Sequence, residues 1–301
     1  MSSSTYGPVR HSISCLWRTF RSRPLFLAGL LGLVCYIIII AAGTLFMGLD
    51  PYRQNISEYF IPPSLSFSFE TGFNRFIMGT DDLGRDIFAR VVFGARNTLL
   101  AAGIAAAAAA AAGIAAGFAA ALSGNPLLNL LRRTMLFLAA TPSVLIAVLM
   151  TAIVEPSLRH ASEAVALSLL PGFISSSYRT AVDELRKKYV IALRSDGAGK
   201  MYITYILFRN TAYIFAGMTA RAFSTAVIDI ASICFLGLGA HHSTPELGLM
   251  ISEGMAFIYR GNYWCIIFPG IAIVSAVLII NIVGSALKTA IRKGVSENAS
   301  S

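Results

Sequence analysis

The chain has 301 residues, of which 56% are hydrophobic and 13% charged, with a mean hydropathy of +0.69. A soluble domain carries about 25% charged residues, so an integral membrane protein is the first reading. The formal charge of +9 would suit a nucleic-acid partner, but the basic residues sit where membrane topology puts them, as follows.

From the N-terminus, Arg10, Arg18, Arg21 and Arg23 precede a long apolar run without a small-residue cleavage site. The expectation is a basic cytoplasmic segment, 1–24, and a first transmembrane helix that stays, 25–47. Residues 48–96 form the largest predicted extramembrane piece. Its first part is punctuated by Pro and Ser, and its second reads "MGTDDLGRDIFARVVFGARNTLL". There Thr80 or Asp81 is a candidate helix cap, Asp86 and Arg90 stand at i,i+4, and Leu83, Ile87 and Val91 share one face. This predicts an amphipathic helix lying at the outer membrane surface.

The core, 97–286, holds five more candidate spans at about 20 apolar residues each: 97–121, 134–154, 161–179, 208–238 and 264–286. In the first of these, Gly113 and Gly117 form a GxxxG within an alanine-rich run. Small side chains let helices approach closely, and an intramolecular contact is expected. The fourth of the six spans contains Glu163 and Pro171, tolerated where a helix faces protein. The fifth is too long for a simple crossing. With the N-terminus inside, the cytoplasmic segments and Arg179 at their edge carry 15 Lys or Arg against 7 outside, which agrees with the positive-inside rule. Lys288, Arg292 and Lys293 in the tail, 287–301, read as an inside anchor. Positive charge then marks cytoplasmic loops and lipid headgroups.

Between the fourth and fifth spans lies a cytoplasmic loop, 180–207, containing "KKYVIALRSDGAGKMYITYIL". Tyr189, Ala192, Leu193 and Asp196 fall on one helical face, and Gly197 and Gly199 can break a helix by taking positive φ. A second helical pattern starts at Met201 and runs into the fifth span. The reading is helix, glycine turn, helix, with a basic rim: a short element held out to dock in a partner's groove, or an ordinary charged loop. The stretch "GAGKM" lacks the spacing and the Ser/Thr of a nucleotide-binding loop.

Ionisable residues inside spans are costly and are functional candidates. Asp229 lies deep in the fifth span with Arg221 two turns before it, either as a structural pair or lining a path for a cationic substrate. Cys15, Cys35, Cys234 and Cys265 are scattered, with packing as their default role. His241 and His242 are read as loop residues, and no metal site is expected. Glu253 and Arg260 flank a re-entrant-looking stretch, "LGLMISEGMAFIY", at the outer mouth. No nucleophile, base or metal-ligand cluster in the spans suggests an enzyme.

The loop resembles the "EAA" element of ABC-importer permeases through Tyr189, Val190, Ala192, Arg194, Gly197 and Ala198, followed by Ile203, Leu207 and Asn210. "MGTDDLGRDIFARVVFGAR" resembles the signature of the dipeptide and oligopeptide permease subfamily, in its second subunit, carried here by Gly79, Thr80, Asp81, Asp82, Gly84, Arg85, Asp86 and Arg90. "FLGLG" and "TPELGLMISEG" agree, and the resemblance, covering roughly 20–293, is strongest to the Sap branch, linked to defence peptides. It implies an all-α polytopic membrane protein with about six transmembrane helices of the type I ABC-importer permease fold and a periplasmic segment between the first two. It also implies a non-catalytic inner-membrane subunit that pairs with a second permease, binds two ATPase subunits holding ATP and Mg, and receives peptide from a periplasmic binding protein. Tyr189, Ala192, Leu193, Arg194, Asp196, Gly197, Ala198 and Gly199 would carry ATPase coupling. Three positions depart from the pattern: Arg209 replaces a usual proline, Leu247 a usual Trp, and Asp229 a usual Glu. Other substrates (nickel, a polyamine, glutathione), export, and an ATP-independent transporter or channel remain as alternatives.

Overall fold

The computed structural model describes residues 24–45, 49–64, 67–68, 72–73, 76–123, 133–241 and 243–300. The expected cytoplasmic segment 1–23, Cys15, the inside loop 124–132 and His242 lie outside them. The order is α1 (Pro24–Leu45), a two-residue antiparallel ladder (Phe67–Ser68 with Gly72–Phe73), α2 (Ile87–Ser123), α3 (Ser143–Thr151), α4 (Leu158–Leu185), α5 (Lys188–Ser195), α6 (Lys200–Phe235), α7 (Leu247–Met255) and α8 (Trp264–Ser300). Among the described residues, four stretches are long and apolar enough to cross a membrane: Phe26–Thr44, Ile87–Ser123, Lys200–Phe235 and Trp264–Arg292.

The core is built by near-contact of small residues. Ala101, Ala102 and Ala105 of α2 meet Ala161, Ala164 and Val165 of α4 and Ala226, Val227 and Ile230 of α6. The expected intramolecular role of the GxxxG holds. A Cβ on Gly113 would strike Phe173, and one on Gly117 would strike Ser177, both on α4. The Ser177 hydroxyl donates to the Gly113 carbonyl at 3.0 Å. α1 packs along α8 in the same way, with Gly29 and Gly32 against Ile282 and Ile279. Outward rows such as Leu31 and Ile38 on α1, Leu100 and Ile104 on α2, and Val274 and Leu278 on α8 stay exposed. Such rows suit hydrocarbon or a partner subunit, not water.

Three predicted elements come out differently. First, among the described residues no separate surface helix precedes the second span. Residues 80–86 form a tight turn closed by a Thr80–Asp86 bridge, and α2 then runs unbroken for 37 residues, about 55 Å. Second, the predicted span 134–154 is broken: a short helical piece at 133–138, a turn at 139–142, and then α3, whose nine residues rise about 14 Å, half or less of a hydrocarbon core. Pro142 explains the break, because the residue before a proline is driven out of helical conformation. Third, α4 passes straight through Pro171 and extends to Leu185, beyond the predicted 161–179.

Candidate functional site

The turn after α5 has a defined geometry. Asp196 caps α5, Gly197 takes φ +79°, the Gly197 amide donates to the Arg194 carbonyl at 3.1 Å, and the Ala198 amide donates to the Leu193 carbonyl at 3.0 Å. This pair of bonds is a Schellman ending, which needs a left-handed residue where Gly197 stands. Gly199 stays extended at φ −66°, so only the first of the two predicted glycines makes the break. α6 then begins at Lys200.

The elbow is anchored from behind. Val190 is buried among Phe118, Ala181, Ile203 and Leu207. The Tyr189 hydroxyl donates to Glu184 Oε1 at 2.8 Å and accepts from Asn210 Nδ2 at 3.2 Å. One phenol thus ties α4, α5 and α6 together. Burial raises its pKa to about 12, which keeps it protonated. The outward surface is the opposite in character. Ile191, Met201 (87% exposed), Tyr202 and Tyr205 project into the open, and Ala192, Arg194, Asp196, Lys187, Lys188 and Lys200 are exposed beside them. Leu193 and Ala198 are half-buried, closing the turn. The result is an apolar knob with a basic rim, left exposed by the described residues. The helix continues unbroken across Arg209, where the pattern it resembles has proline.

The 79–90 turn is a clasp. The Thr80 hydroxyl donates to the Glu58 carbonyl at 2.6 Å and accepts from the Ile61 amide at 2.8 Å, while the Trp264 indole donates to the Thr80 carbonyl at 3.1 Å. Asp81 Oδ1 accepts from the amides of Leu83 (3.0 Å) and Arg85 (2.9 Å). Its Oδ2 takes Arg85 Nε at 2.6 Å and an Arg90 Nη at 3.0 Å. The other Arg90 Nη reaches Glu253 Oε2 of α7 at 3.0 Å. Gly79 and Gly84 both take positive φ, and a Cβ on Gly84 would run into the Asn55 carbonyl. Thr80 is therefore consumed by distant partners and Asp81 by the turn's own amides and the Arg85 and Arg90 side chains, so neither caps α2. Asp86 does so instead, accepting the Phe88 amide at 2.9 Å. Asp82 sits at the edge of the cluster, 3.8 Å from Arg85.

The structure does not bring Asp229 and Arg221 together as an ion pair. Asp229 is 4% exposed and accepts the Ser143 hydroxyl of α3 at 2.7 Å, whereas Arg221 is exposed.

One residue went unremarked in the sequence. Glu246 is 0% exposed, caps α7 through the Leu249 amide at 2.8 Å, and accepts the Thr98 hydroxyl of α2 at 2.8 Å. An acid directly before the helical "LGLM" is a capping signal and could have been read as one. Loss of hydration raises its carboxyl from 4.5 to about 7, outweighing the bonds from Leu249 and Thr98. An acid whose folded pKa lies above its unfolded value supports folding below the unfolded value and withdraws that support as pH climbs to the folded one. Stability is thus expected to fall by about 3 kcal/mol between about pH 4.5 and about pH 7 from this group alone. Melting of the purified chain in detergent at a series of pH values would show that decline, and Glu246→Gln would flatten it.

Residues 112–297 match the family model described as binding-protein-dependent transport system inner membrane component. The chain is 38% identical over 282 residues to the peptide transport system permease protein SapC of Escherichia coli O6:H1, covering 93% of each. It is 30% identical over 289 residues to the dipeptide transport system permease protein DppC of Haemophilus influenzae, covering 95% of this chain and 96% of the relative. It is 34% identical over 276 residues to DppC of Escherichia coli K12, covering 91% of each.

Proposed function

Since the chain belongs to the family of binding-protein-dependent transport system inner membrane components, we propose that it is one of two permease subunits of a peptide ABC transporter, driven by ATPase subunits that dock on the Gly197 elbow. The observation that carries this is the elbow itself. Ile191, Met201, Tyr202 and Tyr205 form an exposed apolar knob with Lys187, Lys188, Arg194 and Lys200 around it. An apolar centre with a charged rim is the anatomy of a partner interface. No nucleotide-binding motif accompanies it in the sequence, so the energy source is another chain.

Peptide as cargo is supported by the relatives, whose names specify peptide, dipeptide and di/tripeptide transport. In this reading the chain lies in the inner membrane with both termini cytoplasmic. It lines half of the path, pairs with a second permease, and meets a periplasmic binding protein on the side of the 48–96 segment. ATP-driven closure of the ATPase pair moves the docked α5, and the bundle exchanges inward for outward access.

The test is co-expression with the second permease and the ATPase subunits encoded in the same genome. The expected result is one stable complex whose ATP hydrolysis in nanodiscs rises with peptide and binding protein. A chain that assembles in the membrane but never retains an ATPase subunit overturns the proposal.

A further inference from the structure

The break in the third predicted span coincides with the buried acid of α6. Residues 139–142 are non-helical and exposed, and the carbonyls of Ala139, Ala140 and Thr141 accept no hydrogen bond among the described residues. Non-helical backbone at membrane depth is tolerated only where it is buried in protein or lines a water-filled cavity. Immediately after the break, Ser143 holds Asp229 Oδ2 at 2.7 Å. Asp229 Oδ1 has no partner, and no Lys or Arg lies within ion-pair distance, among the described residues. Nor is the acid used to cap α3, since no α3 amide is bonded to it among those residues. Arg221, eight residues earlier, is about 12 Å away along the helix axis.

A carboxylate kept inside a membrane helix without a protein counter-charge is costly. The three carbonyls, two to four residues before the serine that holds Asp229, add further acceptors, with no strong donor nearby in the sequence other than that serine, already engaged. That set matches a group with several N–H donors and a positive charge.

We propose that Asp229, Ser143 and the Ala139–Thr141 carbonyls form a site on the translocation path for a primary ammonium group of the passing substrate. The proposal rests on the permease reading and adds to it the chemistry of one station on the path. The ammonium could be an amino terminus or a lysine side chain, and both present the same donors.

The test uses the assembled transporter in nanodiscs, with Ala140→Cys introduced and labelling measured over that of the native cysteines. The probes are the cationic reagent methanethiosulfonate ethyltrimethylammonium and its anionic counterpart, methanethiosulfonate ethylsulfonate. A negative cleft raises local cation concentration by about tenfold or more. With each rate divided by that reagent's rate with free 2-mercaptoethanol, the cationic reagent is therefore expected to label at least about ten times faster, with Asp229→Asn bringing the two normalised rates close together and Asp229→Glu preserving the difference. No labelling by either reagent would mean that the break is sealed by protein, and equal labelling would mean that Asp229 makes no cation site; either result overturns the proposal.

Uptake of trialanine and of Ala-Lys-Ala then separates the sources. Loss of both by about tenfold in Asp229→Asn assigns the site to the amino terminus, and loss of the lysine peptide alone assigns it to the side chain. Unchanged uptake of both overturns the proposal. Because the assembled, ATP-hydrolysing complex is the starting material, these failures are distinct from failure of the permease reading itself.

Discussion

Arg90→Ala is expected to lower folding stability by about 3–5 kcal/mol, the usual consequence of removing one partner from a buried charge cluster. Arg90 is 1% exposed and its two Nη atoms are divided between Asp81 and Glu253, each at 3.0 Å. Without it, Arg85, 2.6 Å from Asp81 and 3.7 Å from Glu253, is left to bridge the two carboxylates. The loss is expected to lower the detergent melting midpoint by about 10 °C. Arg90→Lys is expected to recover little, because an ammonium cannot reach two carboxylates through a planar fork. Arg90→Ala melting like the native chain would show that the clasp is peripheral. The defect is also expected to be local in origin: the turn 79–86 and α7 should gain protease sensitivity before the α2–α4 pair does.

Gly197→Pro is expected to leave the chain inserted and folded yet to cut peptide transport by at least about tenfold. Gly197 sits at φ +79° with nothing within 4 Å of a hypothetical Cβ, so space is not the obstacle. Proline fixes φ near −65° and removes the amide that donates to the Arg194 carbonyl. The Schellman ending is then lost and α5 is re-aimed relative to α6. Gly197→Ala is the milder comparison, costing about 1–2 kcal/mol for a left-handed non-glycine residue. The measurement is peptide-stimulated ATP hydrolysis beside peptide uptake in the same proteoliposomes. Uptake falling while basal hydrolysis persists is the expected pattern, and native uptake in Gly197→Pro would remove the elbow from the coupling role.

Much of the architecture was legible because its signals are local. The long apolar runs gave α1, α2, α6 and α8. Gly197 gave its turn because a left-handed helix ending leaves a one-residue signature. The alanine-glycine run in α2 announced close packing. What stayed hidden was decided by distant partners. Thr80 looks like a cap in a window of ten residues and becomes a tertiary ligand only when Glu58, Ile61 and Trp264 arrive, while Asp81 turns to Arg85 and Arg90 instead of the helix start. The break at 139–142 was masked by a composition that remains apolar across it, although Pro142 marked the place. Arg221 and Asp229 looked like a pair on the sequence axis, yet their side chains have different surroundings, and Asp229 found a serine on another helix.

The unbroken course of α6 has a mechanical consequence. Between Lys200 and Phe235 there is no proline, and the one glycine, Gly217, is filled by the stem of Lys288. The helix is therefore a jointless lever. From Lys200 to Asp229 the arm is about 44 Å, so a tilt of about 10° imposed at one end displaces the other by about 8 Å. A sequence with proline at position 209 would have a joint near the start of that arm. With arginine there, a push at the elbow is delivered to Asp229 as rigid-body motion, with little lost to bending on the way.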